Sequence, residues 1–159
     1  MPPDEVTRYS LDTSVLLNAW WRTYPPDLFP TLWDNMDRLV DNGILIASEE
    51  VLEELKKQDD EVLAWANQRA RMFVPIDDQV QQVVSTILQS YPRLIDNRSN
   101  RSGADPFIIG LAVVEGCTVI TEERATGNRL RPKIPDVCSG MGVRCIGLVE
   151  LIREQDWRM

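Results

Sequence analysis

The chain has 159 residues, 43% of them hydrophobic and 26% charged, which is the composition of an ordinary globular domain with a buried core. Its 25 acidic and 17 basic residues give a formal net charge of −8, which argues against holding duplex DNA by general electrostatic attraction. The chain has no histidine, so Ser-His-Asp catalysis, Cys-His catalysis and histidine zinc ligands are excluded. We predict a single domain spanning residues 1–159 in which any catalysis depends on carboxylates.

Cysteine usage and hydropathy indicate the compartment. The three cysteines form no Cys-x-x-Cys pair, so neither a disulfide framework nor a cysteine metal site is indicated. No apolar stretch approaches the ~20 residues that span a bilayer, and no apolar region of a secretory signal follows the acidic N-terminal residues. We therefore expect a cytoplasmic protein with no membrane partner.

The first part of the chain reads as a strand, a helix and a second strand. Arg8–Asp12 is the first predicted strand, a short one that ends in an acid. Apolar residues recur at helical spacing between positions 32 and 40, and Gly43 is placed to end that helix. Ile44–Ala47 is the second predicted strand. Its carboxyl end therefore lies just before residue 48.

The middle of the chain is predicted to be mostly helical. Ser48 is placed to cap a helix whose first turn is acidic, which is favourable near the positive end of a helix dipole. A break at Asp59 opens another helix through Trp65, and the apolar segment Met72–Ile76 follows. Asp77 then begins a helix with a valine- and isoleucine-rich face. This order places helices between successive short apolar segments.

The last part returns to alternating elements after a polar loop at Tyr91–Gly103. Asp105 is predicted to be the N-cap of a helix that runs to Glu115, because a proline follows it at the first helical position. Cys117–Thr121 and Arg144–Gly147 are predicted strands, and Leu148–Gln155 is the terminal helix. Parallel strands need crossover helices, so the whole pattern predicts a three-layer α/β/α fold with a mostly parallel central sheet.

Carboxylates occur where such a sheet would place its ligand site. In open α/β sheets that site lies beyond the carboxyl ends of the strands. Each acid taken singly has an ordinary explanation as a strand end, a helix surface charge, a cap or a turn residue. Their joint placement indicates an oxygen-rich site suited to Mg²⁺ or Mn²⁺. The four candidates are Asp12, Glu54, Asp105 and Glu123.

Four motifs in this order resemble the PIN-domain family. They are Leu-Asp-Thr-Ser-Val-Leu-Leu, Val-Leu-Glu-Glu-Leu, Gly-Ala-Asp-Pro-Phe-Ile-Ile-Gly-Leu-Ala and Val-Ile-Thr-Glu-Glu. The toxin ribonucleases of bacterial VapBC pairs belong to that superfamily. The resemblance extends over nearly the whole chain, and the segment Ile134–Cys138 is similar to an uncharacterised PIN-like branch. It implies a PIN-like α/β/α sandwich and metal-dependent cleavage of RNA.

The resemblance also assigns roles to particular residues. It makes Asp12, Glu54 and Asp105 the first three metal-binding acids, and Ser14 and Thr121 their hydrogen-bonding supports. Glu123 stands where the family usually has the aspartate of Thr-x-Asp. The longer side chain leaves open whether Glu122 or Glu123 completes the site. The number of metal ions also stays open.

The resulting hypothesis is a metal-dependent endoribonuclease that is the toxin of a toxin–antitoxin pair. Bound Mg²⁺ or Mn²⁺ would activate water against the phosphodiester bond, and four basic residues are predicted to hold the flanking RNA backbone. The resemblance implies a small antitoxin partner and leaves a homodimer open. The basic residues are Arg124, Arg129, Arg131 and Lys133.

Two alternative functions stay open at the sequence level. A PIN-like module without catalysis would act through contacts alone. An aspartyl-phosphate phosphatase is also considered, because Asp12 ends the first strand. Those enzymes resemble Asp-x-Asp-x-Thr, and Ser14 replaces the second aspartate here. The RNA, its cleavage sequence and the identity of any antitoxin are not encoded in a recognisable motif.

Overall fold

Five short parallel strands form one sheet in the order β3-β2-β1-β4-β5. The computed structural model describes residues 6–95 and 103–159. Tyr9 of the central strand lies opposite Leu45 on one side and Thr118 on the other. The strands are β1 (Tyr9–Leu11), β2 (Leu45–Ser48), β3 (Phe73–Val74), β4 (Thr118–Ile120) and β5 (Cys145–Ile146).

Helices connect each strand to the next. A π-helical turn at Ala19–Thr23 continues the first helix, and a 3₁₀ turn at Ala70–Met72 precedes β3. The helices are α1 (Thr13–Asn18), α2 (Pro30–Asp41), α3 (Glu49–Gln58), α4 (Asp60–Asn67), α5 (Asp78–Ser90), α6 (Asp105–Glu115), α7 (Ile134–Met141) and α8 (Leu148–Glu154).

The helices cover both faces of the sheet. Parallel crossovers are right-handed, so the connections that lead through β1, β2 and β3 cover one face. The connections from β3 back to β4 and on to β5 then cover the other face. Helix α6 packs across β1, β2 and β4, and α2 packs on β2. The predicted three-layer α/β/α fold with a parallel central sheet is confirmed.

Most predicted elements occur within two or three residues of their expected bounds. The Ser48 hydroxyl accepts a hydrogen bond from the Glu50 amide at 3.2 Å, so Ser48 is the N-cap of α3 as predicted. Gly116 ends α6 with φ of 68°, a left-handed conformation that glycine adopts without a steric penalty. The expectation of a single domain stays a prediction.

The structure also contains helices that the sequence patterns did not predict. Helix α1 begins directly after Asp12, and α7 begins at Ile134. Both are short, and short helices show little periodicity. The predicted loop at Tyr91–Gly103 falls partly outside the described residues, because it includes positions 96–102. Within the described residues, no helix is long and apolar enough to cross a membrane.

Asp105 does not have the predicted capping role. It is the first residue of α6, and the N-cap position belongs to Ala104, which has no capping side chain. The sequence favoured Asp105 as the cap because Asp-Pro is a common start of a helix. In the structure Pro106 follows Asp105 within the first turn. The Asp105 carboxylate is therefore not needed to satisfy the helix start.

Candidate active site

The site lies at the carboxyl edge of the sheet, between the central strand β1 and its neighbour β4. The chain leaves β1 toward β2 and leaves β4 toward β5, so the connections run in opposite directions and open a crevice above the sheet. Asp12 follows β1 directly, and its amide donates to the Ile120 carbonyl of β4 at 2.9 Å. Thr121 follows β4 and donates its amide to Ile146 at 2.9 Å. A backbone hydrogen bond within the sheet therefore fixes the position of Asp12.

Asp12 is held by two hydroxyl groups. Ser14 Oγ donates to Asp12 Oδ2 at 2.5 Å, and Thr121 Oγ1 donates to the same oxygen at 2.7 Å. Only 2% of Asp12 is exposed, and this burial raises the pKa of its carboxyl even though both hydrogen bonds act in the opposite direction. Ser14 and Thr121 thus lie where supporting residues would be needed.

Glu54 reaches the site from the second turn of α3. Its Oε1 accepts the Ala104 amide at 3.1 Å, and Gln58 donates to Oε2 at 3.4 Å. Burial, together with the charge of Asp12, raises the pKa of Glu54 to about 7. Its neighbour Glu53 is exposed and pairs with Lys56 at 2.8 Å. The helix therefore directs one glutamate of the adjacent pair to the site and the other to solvent.

Asp105 enters the same cluster from the start of α6. It is 4% exposed, and burial is the main reason that its pKa rises to about 10. The charges of Asp12, Glu123 and Glu54 raise it further, in that order. Those interactions show that the fold brings all four predicted acids together, although they come from positions up to 111 residues apart in the sequence numbering.

Glu123, rather than Glu122, faces the cluster. The pKa of Glu123 is raised by burial and by the charge of Asp12, and its Oε2 accepts the Ile134 amide at 3.0 Å. The exposed Glu122 instead accepts the Leu148 amide at the start of α8, at 3.3 Å. Glu123 is thereby fixed against the N-terminus of α7. This contact depends on a helix that the sequence patterns did not predict.

The donor chemistry of the cluster fits a hard divalent cation. None of the ion pairs in the described part of the chain includes Asp12, Glu54, Asp105 or Glu123. Among the described residues, the buried Thr13 hydroxyl has no well-aligned hydrogen-bond partner. It is nevertheless near enough to Glu54 to lower the pKa of the Glu54 carboxyl. The sequence offers no signal for Thr13 except its position beside Asp12.

The four acids do not converge on one point. Within residues 6–95 and 103–159, no group of three or more acidic or cysteine side chains is arranged to ligate a common ion. Mg²⁺ commonly keeps several water ligands and takes one or two carboxylates directly. A Mg²⁺ ion held here would therefore take one or two of these carboxylates directly and the others through water.

The predicted basic residues have different surroundings. We define residues 124–133 as the basic loop. The charge of Lys133 lowers the pKa of both Asp105 and Glu123, so this exposed side chain is on the same side of the molecule as the acids, although it forms no ion pair with them. Arg129 lies over the Tyr91 ring at 5.4 Å and donates to the Ser90 carbonyl at 3.3 Å, so it attaches the loop to α5. Arg124 and Arg131 are exposed.

Comparison with protein families places the chain. The model described as a domain of unknown function, DUF4411, matches residues 9–159. The chain belongs to the DUF4411 family. This match includes the whole sheet and all four acids of the cluster.

Solved structures and curated proteins show weaker similarity, or none, to this DUF4411 protein. A chain in the crystal structure of VapBC2 from Rickettsia felis, bound to a DNA fragment from the promoter, is 20% identical. The match covers 74% of this chain and 89% of that chain, with a TM-score of 0.47. None of the curated proteins compared matches the chain.

Proposed function

We propose that this DUF4411 protein is a metal-dependent endoribonuclease of the PIN type. The observation that carries the proposal is the cluster of four acids at the crevice between β1 and β4, with the pKa of every member raised. Burying several carboxylates together destabilises a fold unless cations offset their charge. Such clusters are typical of functional sites. The motif resemblance supplies the reaction class.

Each acid would have a defined orientation in this reaction. The hydroxyl groups of Ser14 and Thr121 fix Asp12, and the Ala104 amide fixes Glu54. Asp12 and Asp105, the two most buried acids of the cluster, would provide the direct ligands. Glu54 and Glu123 would act directly or through water. These fixed orientations reduce the reorganisation needed when RNA binds.

Bound Mg²⁺ or Mn²⁺ would supply a Lewis acid that lowers the pKa of water and offsets charge on the phosphodiester. The chain's own cation in this arrangement is Lys133, whose ammonium group would hold a backbone phosphate beside the acids. This contact would hold the RNA at the carboxyl edge of the sheet, where the acids lie. The charge of Lys133, which lowers the pKa of two of the acids, supports a negatively charged substrate such as RNA.

The resemblance to VapBC toxins also leads us to propose a small antitoxin that masks this crevice. This proposal rests on the motif resemblance, and not on a contact or surface in the residues that the structure describes. Co-expression with the product of the adjacent reading frame, followed by purification of the complex, would test it. A chain that is active and non-toxic without any partner would contradict it.

The central experiment compares acid variants in a metal-dependent RNA cleavage assay. Asp12→Asn and Asp105→Asn should each lower the rate by at least ~10²-fold in Mn²⁺, because each would remove a ligand. Asp34→Asn is the matched control, since Asp34 is exposed on α2. Circular dichroism would verify that all three variants are folded.

Two results would contradict the proposal. Cleavage by Asp12→Asn at the rate of the unmodified protein would remove the acid cluster from catalysis. Cleavage that persists in excess chelator would reject the metal dependence. If the protein neither binds Mn²⁺ nor cleaves RNA, the non-catalytic module becomes the better description. Hydrolysis of a phosphomonoester instead of RNA would favour the phosphatase.

A further inference from the structure

A carboxylate outside the acid cluster organises the basic loop. Asp136 lies in the first turn of α7, and its two oxygens accept hydrogen bonds from three backbone amides. The donors are the amides of Thr126 at 3.0 Å, Gly127 at 2.9 Å and Lys133 at 2.7 Å. The Thr126 hydroxyl also donates to Asp136 at 3.0 Å. One side chain thus joins the beginning and the end of the loop.

The Thr126 hydroxyl extends this network across the loop. It lies 2.9 Å from the Arg131 carbonyl, and it accepts the Asn128 amide at 3.1 Å. The Asn128 side chain in turn accepts the Leu130 amide at 2.9 Å. These local bonds satisfy backbone groups in a segment that has no strand or helix.

The same helix start holds a residue of the acid cluster. Successive backbone amides at the beginning of α7 bind two different carboxylates: Lys133 donates to Asp136, and Ile134 donates to Glu123. The backbone of Lys133 is therefore fixed by Asp136, and the next residue, Ile134, binds Glu123 of the cluster. The exposed Lys133 side chain is near enough for its charge to lower the pKa of Glu123 and Asp105, without an ion pair to either one. Arg129 anchors the far side of the loop to Tyr91 and Ser90.

We propose that Asp136 is a positioning residue that closes the basic loop and thereby sets Lys133 beside the acid cluster to hold an RNA phosphate. This inference rests on the proposed nuclease function for the identity of the ligand. Within the loop, Lys133 contacts the phosphate, and Arg129 serves to attach the loop to α5. Asp136 itself touches neither RNA nor metal.

The direction in which RNA affinity changes in Asp136→Asn distinguishes a positioning role from a direct effect of charge. Asp136→Asn removes a negative charge near a phosphate-binding surface, which by charge alone would strengthen RNA binding. Loss of the hydrogen bonds that order the loop has the opposite effect. We expect RNA affinity to fall about 5-fold in Asp136→Asn and about 10-fold or more in Asp136→Ala. Asp156→Asn is the control, because Asp156 is an exposed aspartate whose side chain is 83% accessible.

RNA binding would be measured by fluorescence anisotropy with a single-stranded oligonucleotide, in an Asp12→Asn background that prevents cleavage. In the otherwise unmodified enzyme, Asp136→Asn should raise KM while kcat changes less than about threefold, because the acids keep their positions. Lys133→Ala should weaken binding more than Arg129→Ala. Equal or tighter binding by Asp136→Asn would overturn the proposal.

Loop order is tested separately by trypsin in the absence of RNA. Cleavage after Arg124 and Arg129 should accelerate in Asp136→Asn and stay slow in Asp156→Asn, since an ordered loop resists proteolysis. Arg131 precedes proline and is a poor trypsin site. If Asp136→Asn fails to fold, Thr126→Ala removes one partner of the same network and should also accelerate cleavage.

Outcomes for the two proposals are distinguishable. One possible result is that trypsin cleaves Asp136→Asn faster while the unmodified protein binds no RNA. Asp136 would then still organise the loop, but the phosphate role of Lys133 and the nuclease function would both be overturned. RNA binding with unchanged trypsin resistance in both Asp136 variants and in Thr126→Ala would overturn the positioning role alone.

Discussion

Two adjacent glutamates in α3 have opposite surroundings. With about 100° between successive helical residues, Glu54 falls at the edge of the face that contains Val51 and Leu55, and Glu53 points away from it. The structure agrees with this rotation: Glu54 is 7% exposed, whereas Glu53 is exposed and paired with Lys56. The catalytic role of Glu54 stays a prediction.

Glu54→Gln should therefore lower the rate of RNA cleavage by about 10- to 100-fold at saturating Mn²⁺. The amide keeps the size of the side chain but removes a charge from the cluster. Glu53→Gln should leave the rate within about twofold, because it loses only a surface ion pair. Both rates would be measured with single-turnover kinetics. The reverse ranking would show that α3 is rotated relative to the site.

Helices α5 and α6 approach each other closely at Gly110. A Cβ atom placed there would lie 2.9 Å from Val84 Cγ2, which is closer than van der Waals contact permits. Valine in a helix has one strongly preferred rotamer, so Val84 cannot easily rotate away. Gly110 thus allows α6 to lie against α5 while its N-terminus carries Asp105.

Gly110→Ala should lower the free energy of unfolding by about 1–2 kcal/mol, because the steric conflict exceeds the ~1 kcal/mol that alanine gains in helix propensity. In a Val84→Ala background the same substitution should become neutral or stabilising. Urea denaturation of the four proteins in this double-mutant cycle would measure the coupling. Strictly additive effects would show that the two helices do not meet at these residues.

The acid cluster makes the free energy of unfolding of the whole protein depend on pH. Raised pKa values mean that the folded protein binds protons more tightly than the unfolded chain does. The Glu54 contribution to stability is present below its unfolded pKa near 4.5 and is lost as pH rises through about 7. The Asp105 contribution declines from an unfolded pKa near 3.8 toward about 10. Without divalent cations, the free energy of unfolding should thus fall from pH 5 to pH 8.

Glu54→Gln should raise the free energy of unfolding at pH 8 by about 1–3 kcal/mol and flatten this dependence. Glu53→Gln should leave the curve unchanged. Mn²⁺ should stabilise the unmodified protein most at high pH, since binding competes with protons for the same carboxylates. Thermal melts across pH with chelator and with Mn²⁺ would test all three statements. Stability that rises toward pH 8 in chelator would contradict the buried charge cluster.

Sequence patterns determined the layered architecture and the set of acids now found together. Alternating apolar runs and helical periodicities fix the class of fold, because each element buries its apolar face through its own local pattern. Asp12 was identifiable because it directly follows a strand, and a strand's carboxyl end is where ligand sites form. The orientation of Glu54 followed from helix geometry alone.

Local patterns did not determine which groups each acid contacts. The hydrogen bond from Thr121 to Asp12, which the family resemblance implied, forms because β1 and β4 are neighbours in the sheet, an order that local patterns do not encode. The sequence assigned Asp105 both to the acid cluster and to a helix cap, and only the cap is wrong, because contacts between distant segments bury this carboxylate among the other acids. The bonds of Asp136 to the basic loop likewise required the short helix α7, whose sequence shows too little periodicity to predict it.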